Sequence, residues 1–303
     1  MPVASVIIPT KDRPAIIRQN LGYLQKAIAG RDIEVIVVND GAADPDLQDF
    51  PFVRLVKNSG HGVASARNTG AELASSDRFI FLDDDMLIFP ENISSILELT
   101  KDTPDCCINL NWIYPPEVQK NIEQTSFGRY LVHYGFTTLK GWNKGNFWSD
   151  AGLFETNGIT SQFLYISRRA FYAAGAYTGT FPFAGFEDYD LAQKLREKNI
   201  RFYIYPLSTC WHNELDRLTA EAWLERKKRG AETRKHAVMH GHPELALQYG
   251  FVKKIIYSFI LAIKSNLFSI LNRFPNQKSF DFLYFRCVNL LLGAVVYEGY
   301  RKI

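Results

Sequence analysis

Phe79-Ile80-Phe81-Leu82-Asp83-Asp84-Asp85-Met86-Leu87-Ile88-Phe89-Pro90 sets three adjacent carboxylates between two apolar runs. Four apolar residues, two of them aromatic, predict a buried strand over 79–82. Carboxylates this close repel and raise one another's pKa unless positive charge sits among them. A hard divalent cation such as Mg2+ or Mn2+ meets that need with oxygen ligands. The competing reading is an acidic turn at the start of the next helix, where the helix dipole favours negative charge. The segment alone leaves both open.

Upstream, Ala4–Ile8 is a continuous apolar run. It enters the loop Pro9-Thr10-Lys11-Asp12-Arg13-Pro14, with Asp12 as a candidate N-cap and Pro14 in the first helical turn. Ile17, Leu21, Leu24 and Ile28 follow at helical spacing. Ile33–Val38 is a second strand ending in Asn39-Asp40-Gly41, and Val53–Val56 is a third. The loop Asn58–Gly62 then opens a helix holding Ala66, Gly70 and Leu73. Strand and helix alternate over short connections, which predicts an α/β fold with a doubly wound, mostly parallel sheet flanked by helices. Such sheets bind ligands outside the carboxyl ends of their strands. Thr10 and Asp12, Asp40, and Asp83 to Asp85 all fall at such ends, so a ligand site is expected there.

Further on, Cys106–Leu110, Phe163–Ile166 and Arg201–Tyr205 read as strands, with a helix over Arg168–Ala174 and Pro206 closing the last strand. Beyond Leu110, the rest of residues 104–155 reads as a long loop. Its aromatics (Trp112, Tyr114, Tyr130, Tyr134, Trp142, Phe147, Trp148) either pack, their commonest role, or stack on sugar rings. Thr219–His240 is a polar helix whose run Arg226-Lys227-Lys228-Arg229 is expected to be a solvated face, with phosphate or anionic lipid contact as the alternative.

With 303 residues, 47% hydrophobic and 14% aromatic, the chain has the material for a large core. Cys106, Cys107, Cys210 and Cys287 form no CxxC pair, which argues against a zinc site or disulfide framework. The N-terminus runs straight into Val3–Ile8 without a basic region or cleavage site, so no signal peptide is expected. The net charge of +3 conceals an asymmetry: residues 251–303 hold eight Lys/Arg against Asp281 and Glu298, a net of +6, which leaves −3 for residues 1–250. The basic residues are interleaved with aliphatic runs, a poor fit to nucleic acid. Ile255–Phe274 predicts one amphipathic helix, with Ile256, Phe259, Ile260, Ile263, Leu267, Ile270 and Leu271 opposite Lys264, Ser265 and Asn266. Phe282–Tyr297 is a second apolar stretch. Neither shows about 18 clean apolar residues, the length a spanning helix needs. A basic amphipathic extension lying in a membrane interface is therefore expected. The alternative is packing on the body or on a second copy of the chain.

Six motifs in order resemble the family 2 glycosyltransferases, inverting enzymes with the GT-A fold. Val6-Ile7-Ile8-Pro9-Thr10-Lys11-Asp12-Arg13 is similar to that family's first strand and nucleotide loop, and Val35–Gly41 to its second strand, whose terminal acid holds the base. Ala66-Arg67-Asn68-Thr69-Gly70 is a common family signature, and Leu82-Asp83-Asp84-Asp85 matches its DxD element. Glu187-Asp188 resembles its ED motif, and Trp211-His212 its late metal-binding histidine. The match covers about residues 4 to 215. Asn39 stands where an acid is frequent, so the base contact falls to Asp40. Three adjacent acids leave the DxD register open. The polymerising members' Gln-x-x-Arg-Trp is absent, which favours transfer of a single sugar.

The resemblance implies a GT-A catalytic domain over 1–215, its nucleotide-binding half about 1–111 and its acceptor half about 112–215. A helical linker over 216–250 and the membrane-associating helical extension over 251–303 complete the expected organisation. Pro9, Thr10, Asp12, Asp40, Arg67, Asp83 and Asp84 are expected to hold a nucleotide-sugar donor, most commonly a UDP-hexose or UDP-N-acetylhexosamine in this family. Asp85, with Asp83 and His212, would bind Mn2+ or Mg2+ against the diphosphate. Asp188 is the expected base that deprotonates an acceptor hydroxyl on a glycan or lipid-linked partner, and Glu187 orients the acceptor or the base. The bland reading of both acids is capping of the following helix. Two other functions compete. A sugar nucleotidyltransferase needs a Gly-rich loop after its first strand, and Pro9-Thr10-Lys11-Asp12 has no glycine. A membrane-docked, non-catalytic nucleotide-sugar binder would not require intact acids at both positions.

Overall fold

The computed structural model describes residues 1–102 and 105–302. Among them, nine strands form one sheet: β1 (Ala4–Thr10), β2 (Ile33–Asn39), β3 (Val53–Lys57), β4 (Arg78–Leu82), β5 (Met86–Leu87), β6 (Cys106–Ile113), β7 (Phe154–Thr156), β8 (Phe163–Ser167) and β9 (Arg201–His212). The order is β3-β2-β1-β4-β8-β6-β9-β5, with β7 also on β9. Strands β3 to β4 of this order are parallel, as the alternation of apolar runs and helices requires. Beyond β4 the sheet is mixed: β8 is antiparallel to β4 and β6, while β6 and β9 are parallel. The α/β fold with flanking helices thus stands, with an unbroken parallel run on its first side and mixed pairing beyond it.

The helix Gly62–Leu73 shows how the core sets the site. Gly70 lies flush on the sheet, where an added Cβ would run into Ile7 and come within 3.2 Å of Val38. That close approach carries the buried Arg67, three residues earlier, toward the strand ends. In the core that this helix joins, Phe79, Phe81, Phe171 and Tyr177 form an aromatic cluster of edge-on and tilted contacts.

Several expected boundaries shift. Arg13 rather than Asp12 is the N-cap of the helix Pro14–Ala27, with Pro14 at its start. Asp12 sits in the left-handed region (φ 52°), a conformation Asp tolerates better than most side chains. Strand β9 does not stop at Pro206. Its register against β6 jumps from Leu110–Tyr205 to Asn111–Thr209, so Pro206 and its neighbours bulge out and the ladder resumes. The stretch expected to be a long loop instead contains helices at Pro116–Ile122, Ser126–His133 and Leu139–Trp142, with Trp112, Tyr114 and Tyr130 buried. Packing is what those three aromatics do.

The chain divides into two compact units. The first comprises Met1–Ile113, Asn143–Phe181 and Glu187–Asn213, and the second Tyr114–Trp142, Pro182–Phe186 and the chain from Glu214 onward. Within the second unit, the helix Ala220–Met239 packs along the helix Asp281–Arg301, joined by Lys228 to Glu298 at 3.1 Å. Arg129 grips Asp281 through two bonds of 2.7 Å. The C-terminal stretch therefore shares a core with residues 214–250 instead of trailing from it. The amphipathic segment expected over 255–274 breaks at Ile263 into Phe251–Ala262 and Lys264–Arg273, bent by 66°. By length and composition the helix Lys278–Arg301 is long and apolar enough to cross a membrane, contrary to the expectation that the stretch Phe282–Tyr297 is too short of clean apolar residues.

Candidate active site

Strand pairing pins the acidic turn on both sides. Strand β4 delivers Asp83 from the sheet centre, and β5 then pairs antiparallel with the end of β9, Met86 opposite His212. That register brings His212 to the acids: its Nε2 lies 3.4 Å from Asp85 Oδ1. The turn's backbone is held as well. Asp83 N–H donates to the Gln162 carbonyl at 3.0 Å and Asn213 N–H to the Asp85 carbonyl at 2.8 Å. Asn20 Nδ2 donates to the Asp83 carbonyl at 3.2 Å and to the Met86 carbonyl at 2.6 Å.

The three carboxylates divide between two arginines. Asp83 accepts from Arg67 Nη2 at 2.8 Å. Arg13 Nη1 binds both Asp84 and, at 3.0 Å, Asp85 Oδ2. The Thr10 hydroxyl adds a bond of 2.7 Å to Asp84. Burial and the neighbouring Asp85 raise the Asp84 carboxyl to about 7 against the pull of Arg13. Burial likewise lifts Asp83, opposed by Arg67. The positive charge that the acidic run demands is thus supplied in part by the chain itself.

Arg67 is the hub of a second cluster. Besides Asp83 it reaches Glu187 at 3.1 Å and Asp188 at 3.9 Å, and its guanidinium lies 5.4 Å from the centre of the Tyr177 ring. Burial works against its charge, but Asp83, Tyr177, Asp188 and Glu187 prevail and raise its pKa. Glu187 and Asp188 open the helix Glu187–Glu197, and both are engaged outside it. Glu187 faces Arg67, while Asp188 accepts from the Ser161 hydroxyl and, at 2.9 Å, from Ser161 N–H. The Asp188 side chain keeps 23% exposure, and burial with the Glu187 charge raises it to about 6. A carboxylate at that level is ionised at neutral pH yet more basic than an ordinary one.

The remaining candidates lie around the ends of β1 and β2. Asp40 accepts from Lys11 at 3.0 Å, Asn58 at 2.7 Å and Gly62 N–H at 3.0 Å. Burial alone would lift its pKa, but these donors lower it. Asp12 accepts from Ala42 N–H at 3.2 Å, tying the two loops together. Asn39 holds the turn through Gly41 N–H at 2.7 Å and Asp44 at 2.7 Å. Pro9 pairs in register with Val38, beyond the last β1–β4 pair at Ile7.

The structure therefore gathers Thr10, Asp83, Asp84, Asp85, Arg67, Glu187, Asp188 and His212, while Asp12 and Asp40 join the β1 and β2 loops. Arg13 and Ser161 were not singled out by sequence reasoning. Arg13 was visible as one of two cations, with Lys11, flanking Asp12 in the first strand's loop; Ser161 carried no signal. For a divalent cation, a carboxylate oxygen and an imidazole nitrogen 3.4 Å apart are a fitting donor pair, since two ligands of one small cation, each about 2.1 Å away, are separated by a similar span. Among the described residues no three His, Cys, Asp or Glu side chains are gathered as a ligand set, and Asp83 is directed to Arg67.

Comparison with known proteins agrees with this architecture. Validoxylamine A glucosyltransferase from Streptomyces hygroscopicus subsp. limoneus is 34% identical over 140 residues, covering 41% of this chain and 31% of that protein. The matched stretch thus spans about a third of the length of the curated relative. A mannosyltransferase, PcManGT from Pyrobaculum calidifontis, solved with GDP-Man and Mn2+, superposes with a TM-score of 0.59 at 16% identity, covering 100% of this chain and 88% of that one. GalNAc-T7, solved with UDP, GalNAc and Mn2+, gives 0.51 at 13% identity, covering 70% of this chain and 43% of the other. These folds are of the GT-A type. The model of glycosyl transferase family 2 matches residues 5–156, half of the sequence. The chain belongs to glycosyl transferase family 2.

Proposed function

We propose that this protein transfers one sugar from a nucleotide-sugar donor to an acceptor hydroxyl with inversion at the anomeric carbon. The observation that carries the reading is the run of contacts from His212 and Asp85 through Asp84 and Arg13, beside Asp83, Arg67, Glu187 and Asp188. The acids and His212 at the strand ends, where such a fold binds ligands, and the raised, partly exposed Asp188 at the start of its helix support this reading.

Asp85 and His212 would hold Mn2+ or Mg2+. A cation bound there acts as a Lewis acid toward the charge on the departing diphosphate. Asp40, Asp12, Thr10 and Pro9 line the nucleotide side. Arg67, with its planar guanidinium, serves the diphosphate oxygens or keeps the acids apart from one another. Asp188 takes the proton of the acceptor hydroxyl as that oxygen attacks, and the two Ser161 bonds fix its direction. Glu187 steadies Asp188 through Arg67. The donor is a UDP- or GDP-linked sugar, the nucleotides seen in the two structural relatives.

A panel of UDP-, GDP- and dTDP-sugars with Mn2+ or Mg2+ tests this reading. Metal-dependent release of one nucleotide is expected, lost in Asp85→Ala and reduced about 10²–10⁴-fold in Asp188→Asn. The rate should fall tenfold per unit below about pH 6, where Asp188 becomes protonated. No hydrolysis and no metal-dependent nucleotide binding by any donor would refute it.

The second unit supports attachment to the cytoplasmic face of a membrane, close to a lipid-linked or membrane-proximal glycan. Phe251 (78% exposed), Ile255 and Phe259 (64%) share one exposed helix face, beside Lys253 and Lys254. Replacing these three apolar residues by Ser should release the protein from anionic vesicles in a flotation assay. Unchanged flotation would sink this attachment. Deleting 251–303 is the poorer test, because it uncovers the packed face of Ala220–Met239.

A further inference from the structure

Asp85 uses its two oxygens differently. Oδ1 faces His212 Nε2 at 3.4 Å, and Oδ2 is held by Arg13 Nη1 at 3.0 Å. The same Arg13 nitrogen holds Asp84, whose other oxygen accepts from the Thr10 hydroxyl at 2.7 Å. Arg13 is the N-cap residue of its helix, yet its side chain makes no capping bond, and it is 12% exposed. It is committed to the acids. Resting on the reading of Asp85 and His212 as a metal pair, we propose that Arg13 is a positioning residue: it clamps the far oxygen of Asp85 so that the near one stays aimed at the space shared with His212.

Two physical arguments support this. A carboxylate rotates about its last bond, and each oxygen reaches the same place unless one is held. Partners that hydrogen-bond a ligand from behind fix its orientation, and removing them costs about 10–100-fold in metal affinity. A single cation bridging Asp84 and Asp85 also keeps the two carboxylates from swinging apart under their mutual repulsion. The opposite role, a built-in cation that competes with the metal, would need Arg13 to sit on the oxygen facing His212. It sits on the other one.

The test is Mn2+ binding to the full-length protein, read from the free-Mn2+ electron paramagnetic resonance signal with and without UDP or GDP. Arg13→Met should bind Mn2+ about 10–100-fold more weakly than wild type, in protein whose circular dichroism shows it folded at the assay temperature. Arg13→Lys, whose ammonium can also bridge two carboxylates, should recover part of the loss. Equal or tighter Mn2+ binding by Arg13→Met would overturn the proposal, tighter binding making Arg13 a competitor. If Arg13→Met does not fold, Arg13→Lys decides alone: a loss of at least threefold supports the clamp, and wild-type affinity overturns it. Absence of Mn2+ binding by wild type with either nucleotide would instead overturn the metal reading beneath it.

Discussion

Arg67 and Lys227 are both cations drawn into the protein, and the two units treat them in opposite ways. Arg67 lies among Asp83, Glu187 and Asp188, and its charge is reinforced. Lys227 lies among rings, 4.9 Å from the centre of Trp142, 5.0 Å from Trp223 and 5.1 Å from Phe136. Burial and the adjacent Arg226 lower its pKa to about 8, with Glu214 opposing. Ring faces attract a cation more weakly than carboxylates do and return little of its lost hydration. The basic run on that helix, expected as a solvated face, is in fact largely engaged: Arg226 with Glu214, Lys228 with Glu298 and Arg229 with Glu225. One unit uses a buried cation to hold acids together; the other uses one as part of a packed wall.

The comparison breaks if the two substitutions behave alike. Arg67→Met strands Asp83 and Glu187, and we expect a loss of about 3–5 kcal/mol in urea unfolding, partly recovered when Asp83→Asn and Glu187→Gln are added. A loss below about 1 kcal/mol would mean the cluster is not held by charge. Lys227→Met leaves only rings around an apolar chain, and its cost at pH 7 should stay within about 1 kcal/mol. Its sharper signature is in pH. The unfolded chain keeps its proton up to about 10.4 and the folded protein only to about 8. Between those values the unfolded state binds more protons, so wild-type stability rises with pH. Lys227→Met should lack that rise, and an identical pH profile would show that Lys227 is hydrated after all.

How much of this was legible follows from what each signal depends on. The first four strands, the acids at their ends and the helix bearing Arg67 are local patterns, and the chain shows them openly. A proline normally ends a ladder, so the sequence alone stops β9 before Pro206, and only pairing with β6 on both sides of the bulge carries it to His212. The break at Ile263 has no proline or glycine to mark it. Lys227 could not be told from its basic neighbours, since its rings come from residues 136, 142 and 223. Ser161 meets Asp188 across 27 residues, a partnership that tertiary contact alone creates.

The hub at Arg67 also has a history in time. Its partner Asp83 is 16 residues away, but Glu187 is 120 residues away. During synthesis at about 5–20 residues per second, roughly 6–24 s separate the emergence of Arg67 from that of Glu187. Through that interval the nascent first half can already pair Arg67 with Asp83. The acids that open the later helix then dock onto a charge that is waiting for them, and His212 emerges later still, the last of the gathered side chains to arrive.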